Sequence, residues 1–221
     1  MVKICGLDLS ITSSGVIIET LDDELDVVNV EYHGFTQKKK YQSDFIHYYT
    51  NKDYTDNYAK YLDFANKVLD WTKDCEYIAI EDYGYAAQGL VFNLAEYEGF
   101  IKINSYNNGK KLRFYAINSI KKFFSGSGTS DKISMAQAFD KFTGVKPDLS
   151  NLPEVTNGHG VAPTSDIIDA FAICEFLRKE LRLRRGIELL KDQNQKVIEC
   201  FNSVTKECPE GLLVKKFLEK D

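Results

Sequence analysis

The chain opens on the stretch Val2-Lys3-Ile4-Cys5-Gly6-Leu7-Asp8-Leu9-Ser10, which predicts a short, mostly apolar strand that carries one carboxylate. A polar turn at 11–15 follows, and a second apolar run begins at Val16. A carboxylate on a buried strand is costly to desolvate, so it is usually paired, hydrogen-bonded or bound to a metal ion. Taken alone, Asp8 is equally well explained as a cap of the following turn. Its function therefore depends on whether other carboxylates converge on it.

The composition is that of an ordinary globular protein. Of the 221 residues, 43% are hydrophobic and 28% are charged, which argues against a disordered or fibrous chain. The length predicts a single domain over residues 1–221 with a substantial core. Because the net charge is −5, any surface that binds nucleic acid is expected to be a local patch.

The cysteines predict neither a disulfide framework nor a zinc site. They are five in number and scattered, without a C-x-x-C motif, and the three histidines add no zinc-like spacing. Such a pattern is typical of reduced thiols in the cytosol. Lys3 and Asp8 interrupt the only apolar start, and no apolar run approaches the length of a membrane span. We expect a soluble, cytoplasmic protein with no membrane partner.

The apolar runs predict a mixed α/β fold with a five-stranded sheet. The first three strands are expected to form an antiparallel meander, and the later ones to be parallel. The predicted strands cover residues 2–9, 15–20, 25–33, 77–81 and 112–117. Residues 34–56 are expected to be a polar loop, and residues 145–164 an irregular connection.

Helical periodicity is clearest in the second half of the chain. The predicted helices cover residues 57–73, 88–105, 133–142, about 165–182 and 187–204. A further short helix is expected after residue 117, with Asn118 or Ser119 as its cap, and Ser165 is expected to cap the strongest helix. Residues from about 183 to 221 are interpreted as a helical tail.

Three further carboxylates lie where a functional site needs them. Glu81 ends a predicted strand, and Asp166 and Asp169 lie three residues apart at the start of a helix, on one face. Asp166 alone is explained as an N-terminal acid that complements the helix dipole. Asp169 lies among the apolar residues of a helix that must pack on the sheet, so it is expected to face the edge of the core or a site.

Converging carboxylates repel one another unless cations neutralise them. Oxygen ligands without Cys or His favour Mg²⁺, for which Mn²⁺ can substitute. Two such ions about 3.5–4 Å apart stabilise the attacking and leaving oxygens of a phosphoryl transfer. The sequence therefore predicts a site for two Mg²⁺ ions, in which Asp8 is the bridging ligand.

Five motifs occur in a fixed order. They are Gly6-Leu7-Asp8-Leu9-Ser10, Ser14-Gly15-Val16, Ala79-Ile80-Glu81, Asp131-Lys132 after a Gly/Ser loop, and Ser165-Asp166-Ile167-Ile168-Asp169-Ala170. Together they resemble the RuvC-type Holliday junction resolvases of the ribonuclease H-like superfamily, in particular divergent phage or viral members. The resemblance covers roughly residues 1 to 180, and its specificity lies in the order and spacing of the motifs.

The resemblance implies a ribonuclease H-like fold in which Asp8, Glu81, Asp166 and Asp169 bind two divalent ions and Lys132 lies near the scissile phosphate. It also implies a homodimer that acts in DNA recombination and repair, within an infected host cell if the source is a phage or virus. Such enzymes cut four-way DNA junctions by paired nicks that leave 5′-phosphate and 3′-hydroxyl ends. The loop at 34–56, the connection at 145–164 and the tail after 182 depart from the family pattern, and these departures concern the range of branched substrates more than the chemistry.

The DNA-binding surface is expected between residues 110 and 146, where eight Lys and Arg residues outnumber two Asp. A net charge of about +6 suffices for several phosphate contacts. For individual lysines a solvated helix face is an equally good explanation, and Gly/Ser loops are often plain connectors. The expected DNA contacts are lysines, the Gly/Ser loop and two tyrosines able to stack on unpaired bases: Lys121, Lys122, Lys132, Ser125, Gly126, Ser127, Tyr83 and Tyr85. The basic run at 178–185 has three open roles, in tail packing, DNA contact or a dimer rim.

Three alternatives remain at this point. The chain is also consistent with a ribonuclease H-like nuclease of other specificity, which cuts RNA–DNA hybrids or branched DNA in general. The spacing Asp8-x-x-x-x-Ser13-x-Gly15 also resembles the phosphate-binding hairpin of actin-like and sugar-kinase-type ATP-binding proteins. That class needs a second lobe, for which 221 residues leave little room. A non-catalytic homologue is disfavoured because all four acids are present.

Overall fold

A six-stranded mixed sheet forms the centre of the fold. The computed structural model describes residues 1–82, 91–156, 161–206 and 208–220. The strand order in the sheet is β4-β3-β2-β1-β5-β6. The strands are β1 (Val2–Asp8), β2 (Gly15–Leu21), β3 (Val27–Thr36), β4 (Ile46–Tyr48), β5 (Tyr77–Glu81) and β6 (Lys111–Tyr115).

The pairing of the strands brings two carboxylates to one edge of the sheet. Strands β1, β2 and β3 form the predicted antiparallel meander. Strand β5 lies parallel to both β1 and β6. Because Leu7 pairs with Ile80, the next residues in register are Asp8 and Glu81, which end their strands side by side.

The sixth strand corrects the predicted five-stranded sheet. Strand β4 comes from the segment 34–56, which was expected to be a loop, and it pairs in parallel with the end of β3. Ile46 is completely buried and packs in the core, and this burial stabilises a strand of only three residues. Strand β3 also begins later than predicted, because Leu25 lies in the preceding turn with a φ of 59°.

Helices cover both faces of the sheet. The helices are α1 (Asn57–Trp71), α2 (Val91–Asn107), α3 (Ile117–Ser125), α4 (Lys132–Lys141), α5 (Thr164–Arg184) and α6 (Gln195–Phe201). One core cluster joins the sheet to α1 and α2, and the other joins its opposite face to α3, α4, α5 and α6. Within the described ranges, no helix is long and apolar enough to cross a membrane.

Three predicted helix boundaries were wrong. Helix α5 has Pro163 at its N-cap, so Ser165 lies inside the first turn and does not cap it. Ala116 precedes α3 without a side-chain cap, so Asn118 and Ser119 are helical residues. The predicted helix 187–204 is reduced to α6, which Asn194 caps by accepting a hydrogen bond from the amide of Val197 at 3.1 Å.

Candidate active site

Two glycines allow α5 to lie directly on the sheet. A Cβ atom at Gly6 would lie 2.3 Å from the carbonyl oxygen of Ala170, and one at Gly15 would lie 2.1 Å from that of Asp166. Real Cβ atoms do not make contacts this short, so no other residue fits without a shift of backbone. The first two turns of α5 therefore lie over the ends of β1 and β2.

Four carboxylates converge at this position. Side chains alternate along a strand, and Ile4 and Ala79 belong to the core cluster beneath α5, so Asp8 and Glu81 point to the face that α5 covers. Burial is the largest cause that raises the pKa of Asp8, and the negative charges of Asp169, Asp166 and Glu81 add to it. The structure thus brings together the carboxylates that the sequence analysis singled out.

The cluster holds more negative charge than its surroundings neutralise. Burial, followed by the charge of Asp169, raises the pKa of Glu81 to about 7, against the opposing charges of Lys132 and Lys121. Burial also raises the pKa of Asp166, although the hydrogen bond from Ser13 opposes this shift. Carboxyl groups in this state gain stability when a cation approaches.

Lys132 is the cation closest to the cluster. It is the first residue of α4, whose N-cap Asp131 accepts a hydrogen bond from the amide of Ser134 at 2.8 Å. Its ammonium group forms an ion pair with Oδ2 of Asp169, whose side chain is only 13% exposed. The other oxygen of Asp169, Oδ1, is buried and has no hydrogen-bond partner in the described part of the chain.

Ser13 holds Asp166 in place, a contact that its place in the Asp8-x-x-x-x-Ser13-x-Gly15 spacing did not predict. Its hydroxyl donates a hydrogen bond to Oδ2 of Asp166, and Ser165 lies 3.3 Å from the other carboxylate oxygen. The neighbouring Ser14 anchors the turn, since its hydroxyl donates to the carbonyl of Ser10 at 3.0 Å. Ser13 and Asp166 are 153 positions apart, so no local sequence pattern predicts this contact.

The chemistry of these donors fits a hard divalent cation. The donors are carboxylate oxygens, burial and mutual repulsion raise the pKa values of Asp8, Glu81 and Asp166, and Asp169 Oδ1 has no hydrogen-bond partner among the described residues. As the side chains stand, no three Asp, Glu, His or Cys residues in the described ranges are placed to hold one ion together. Two of the oxygens concerned are engaged by Lys132 and Ser13, so the cluster has to rearrange to bind a metal.

The predicted DNA-contacting loop joins α3 to α4 and is internally bonded. Gly126 ends α3 with a φ of 94°, in the left-handed region that favours glycine. The hydroxyl of Ser125 donates to the carbonyl of Lys121 at 2.7 Å, and Ser127 pairs with Thr129 at 3.2 Å. The ammonium group of Lys196 lies beside Gly126, and the sequence analysis did not identify it.

Several basic residues of the predicted DNA surface have structural partners. Arg113 is 1% exposed and binds Glu180, with Nη2–Oε1 and Nε–Oε2 distances of 2.6 and 3.1 Å. Including Arg113 in that surface was therefore wrong, because it lies in the core and binds the carbonyls of Leu212 and Lys216 in the tail. Lys122 forms an exposed ion pair with Glu199.

The basic run at 178–185 mostly holds the helical tail and its neighbours. Arg178 binds Glu175, and Lys179 and Arg182 both bind Glu188. This supports tail packing among the three roles left open for the run. Tyr83 and Tyr85, predicted to stack on bases, lie outside the described residues.

The fold matches solved structures of Holliday junction resolvases. Thermus thermophilus RuvC in complex with Holliday junction substrate superposes with a TM-score of 0.52 at 15% identity, over 84% of this chain and 97% of that one. The yeast mitochondrial Holliday junction resolvase gives 0.46 at 12% identity, over 82% and 80%. The fowlpox virus resolvase in complex with its junction DNA gives 0.40 at 15% identity, over 81% and 98%.

No protein-family model and no curated protein sequence matches the chain. At these low identities the superposition with the Thermus protein defines the fold. The molecule is a mixed α/β protein with a ribonuclease H-like fold. More particularly, it has the RuvC-type resolvase fold, as predicted from the sequence apart from the number of strands.

Proposed function

We propose that this protein is a structure-specific endodeoxyribonuclease that resolves four-way DNA junctions. The observation that carries the proposal is the convergence of Asp8, Glu81, Asp166 and Asp169 on one edge of the sheet, beside Lys132, in a RuvC-type fold. A cluster of buried carboxylates with an adjacent lysine suits a phosphodiester substrate. The Thermus and fowlpox resolvases with this fold were solved with junction DNA.

Asp8, Glu81, Asp166 and Asp169 are the residues that would hold two Mg²⁺ ions. When bound, such ions supply an activated water as nucleophile and stabilise the leaving 3′ oxygen, which gives 5′-phosphate and 3′-hydroxyl ends. Ser13 orients Asp166 through its hydrogen bond. Lys132 places a positive charge where the scissile phosphate has to approach the carboxylates.

The remaining predicted contacts belong to the same proposal. Lys121, Lys122 and the loop 125–127 would bind the DNA backbone, and Tyr83 and Tyr85 would stack on bases at the junction centre. Residues 1–221 would form one nuclease domain with a helical tail. A homodimer would supply the two sites needed for paired nicks.

A comparison of substrates tests this function. Purified protein with Mg²⁺ is incubated with a labelled four-way junction, a linear duplex of matched sequence and an RNA–DNA hybrid. We expect paired, symmetric nicks in the junction and little cleavage of the duplex. Faster cleavage of the hybrid would instead assign the protein to the nucleases of other specificity.

A further inference from the structure

Lys132 makes a contact that its proposed role at the DNA backbone does not explain. Its ammonium group, which would contact a phosphate in that role, forms an ion pair with Asp169. The charges of Asp8 and Asp166 also act on it and, with Asp169, raise the pKa of Lys132 against the effect of burial. Lys132 is therefore a counter-ion of the carboxylate cluster.

The ion pair involves an atom that a metal would need. Asp169 has two oxygens, of which Oδ2 contacts Lys132 and Oδ1 is buried without a hydrogen-bond partner in the described ranges. A divalent ion that binds Asp169 must approach close to the ammonium group and repels it. Lys132 and the metal therefore compete for the same carboxylate.

The backbone around Lys132 allows its side chain to change partners. Asp131 caps α4 through Ser134, so the position of Lys132 in the first turn is fixed. Its side chain is 35% exposed, which leaves a route from the cluster to solvent. Rotation of the side chain can therefore move the ammonium group away from Asp169 towards solvent without a shift of the backbone.

We propose that Lys132 occupies the carboxylate cluster until a divalent ion displaces it, and that this displacement delivers its ammonium group to a DNA phosphate. The inference rests on the proposed nuclease function and adds a control of metal loading to it. Because a metal ion on Asp169 would move Lys132 towards the phosphate, metal binding and DNA binding favour each other, and this coupling is reciprocal. The affinity of the carboxylate cluster for metal is therefore expected to be higher when DNA is bound.

Metal affinity in the absence of DNA tests the displacement. Mn²⁺ is titrated by calorimetry into wild type, Lys132→Met, Lys132→Arg and Lys121→Met. Lys121 is the matched control, because its charge also reaches Glu81 but no ion pair of Lys121 occurs among the described residues. We expect about tenfold tighter binding for Lys132→Met, the scale of one charge-assisted contact, and changes of less than about twofold for the other two variants.

The possible outcomes separate this inference from the proposed function. If wild type binds Mn²⁺ and Lys132→Met binds it no more tightly, the displacement is wrong while the metal site stands. If Lys121→Met increases the affinity for Mn²⁺ as much as Lys132→Met does, general electrostatics explains the effect, and the specific competition between Lys132 and the metal is wrong. If neither wild type nor any variant binds Mn²⁺, the proposed function fails, and the displacement with it.

The salt dependence of junction binding tests the delivery of the ammonium group. Affinities of wild type and Lys132→Met are measured against KCl concentration, once in EDTA and once in Ca²⁺. In EDTA the two slopes of log K against log [KCl] should agree, because Lys132 is held by Asp169. In Ca²⁺ the wild-type slope should be steeper by about 0.9, the value of one phosphate contact. Equal slopes in Ca²⁺, or unequal slopes in EDTA, would overturn the proposal.

Discussion

Gly15 lies against the backbone of Asp166, so closely that a Cβ atom would come within 2.1 Å of the Asp166 carbonyl oxygen. Gly15 also pairs with Asp8 across the β1–β2 ladder. One glycine thus fixes the separation between the end of β1, which carries Asp8, and the first turn of α5, which carries Asp166. The convergence of the carboxylates depends on this close approach.

Substituting Gly15 should therefore damage both stability and activity. We expect Gly15→Ala to lower the free energy of unfolding by about 3 kcal/mol, at the upper end of overpacking effects, because backbone has to move. Urea denaturation measures the change. Gly99→Ala is the matched control, since a Cβ there meets nothing within 4 Å and alanine is the better helix former by about 0.5–1 kcal/mol. Equal effects of the two substitutions would contradict the close packing of α5.

Glu81 should make the metal-free protein less stable as the pH rises. Its pKa is about 7 in the folded protein against an ordinary value of 4.5, so the folded state holds its proton more tightly. The resulting stabilisation is fully present below pH 4.5 and is lost as the pH rises through 7. The free energy of unfolding of Glu81→Gln, relative to that of wild type, should therefore increase by about 2–3 kcal/mol between pH 4.5 and 8.

Thermal or urea unfolding in EDTA at several pH values measures this difference. Saturating Mg²⁺ provides the control, because a bound cation stabilises the charged carboxylate and should reduce the pH dependence. A difference between Glu81→Gln and wild type that stays constant from pH 4.5 to 8 would show that burial and the neighbouring charges do not raise the pKa of Glu81.

Arg113 should contribute to the stability of the fold and not to DNA binding. It is buried against Glu180, which is completely buried and also accepts a hydrogen bond from Tyr115 at 2.5 Å. Arg113→Met leaves that carboxylate without its main partner, which is expected to cost about 3–5 kcal/mol. Lys122→Met removes an exposed ion pair with Glu199 and should lower the free energy of unfolding much less than Arg113→Met does, because solvent screens exposed pairs.

Denaturant unfolding of the two variants compares these costs, and junction binding at several salt concentrations tests the second half of the prediction. The folded fraction of Arg113→Met should bind with the wild-type salt dependence. A reduced salt dependence of junction binding for this variant would show that Arg113 contacts DNA after all.

The positions of Asp8 and Glu81 were predictable because each lies in a strand with a clear apolar pattern. The predicted strand 77–81 agrees with β5, and Asp131 precedes α4 as a capping residue should. The order of these elements sufficed to predict the fold class. The proximity of Asp8 and Glu81 then follows from the parallel pairing of β1 with β5.

Features that depend on distant contacts were not predictable. Strand β4 exists because Ile46 pairs with Gly34 and is buried, although its surroundings are polar. Arg113 resembled a surface cation because Glu180, 67 positions away, is its partner only in the folded chain. The contacts of Ser13 with Asp166 and of Lys132 with Asp169 likewise arise from packing of α5 and α4 against the sheet.

Asp8 and its neighbouring carboxylates are central to the proposed cleavage of four-way junctions. Asp8→Asn keeps the size of the side chain and removes its charge, so it should abolish cleavage while junction binding persists. Asp23→Asn is the matched control, because the Asp23 side chain is 98% exposed, and it should cleave as wild type does.

The most direct measurement is the yield of paired nicks in a labelled four-way junction with Mg²⁺, taken at protein concentrations that saturate binding. We expect symmetric nicks by wild type and Asp23→Asn, and none by Asp8→Asn. Cleavage retained by Asp8→Asn, or no nicking of the junction by wild type, would contradict it.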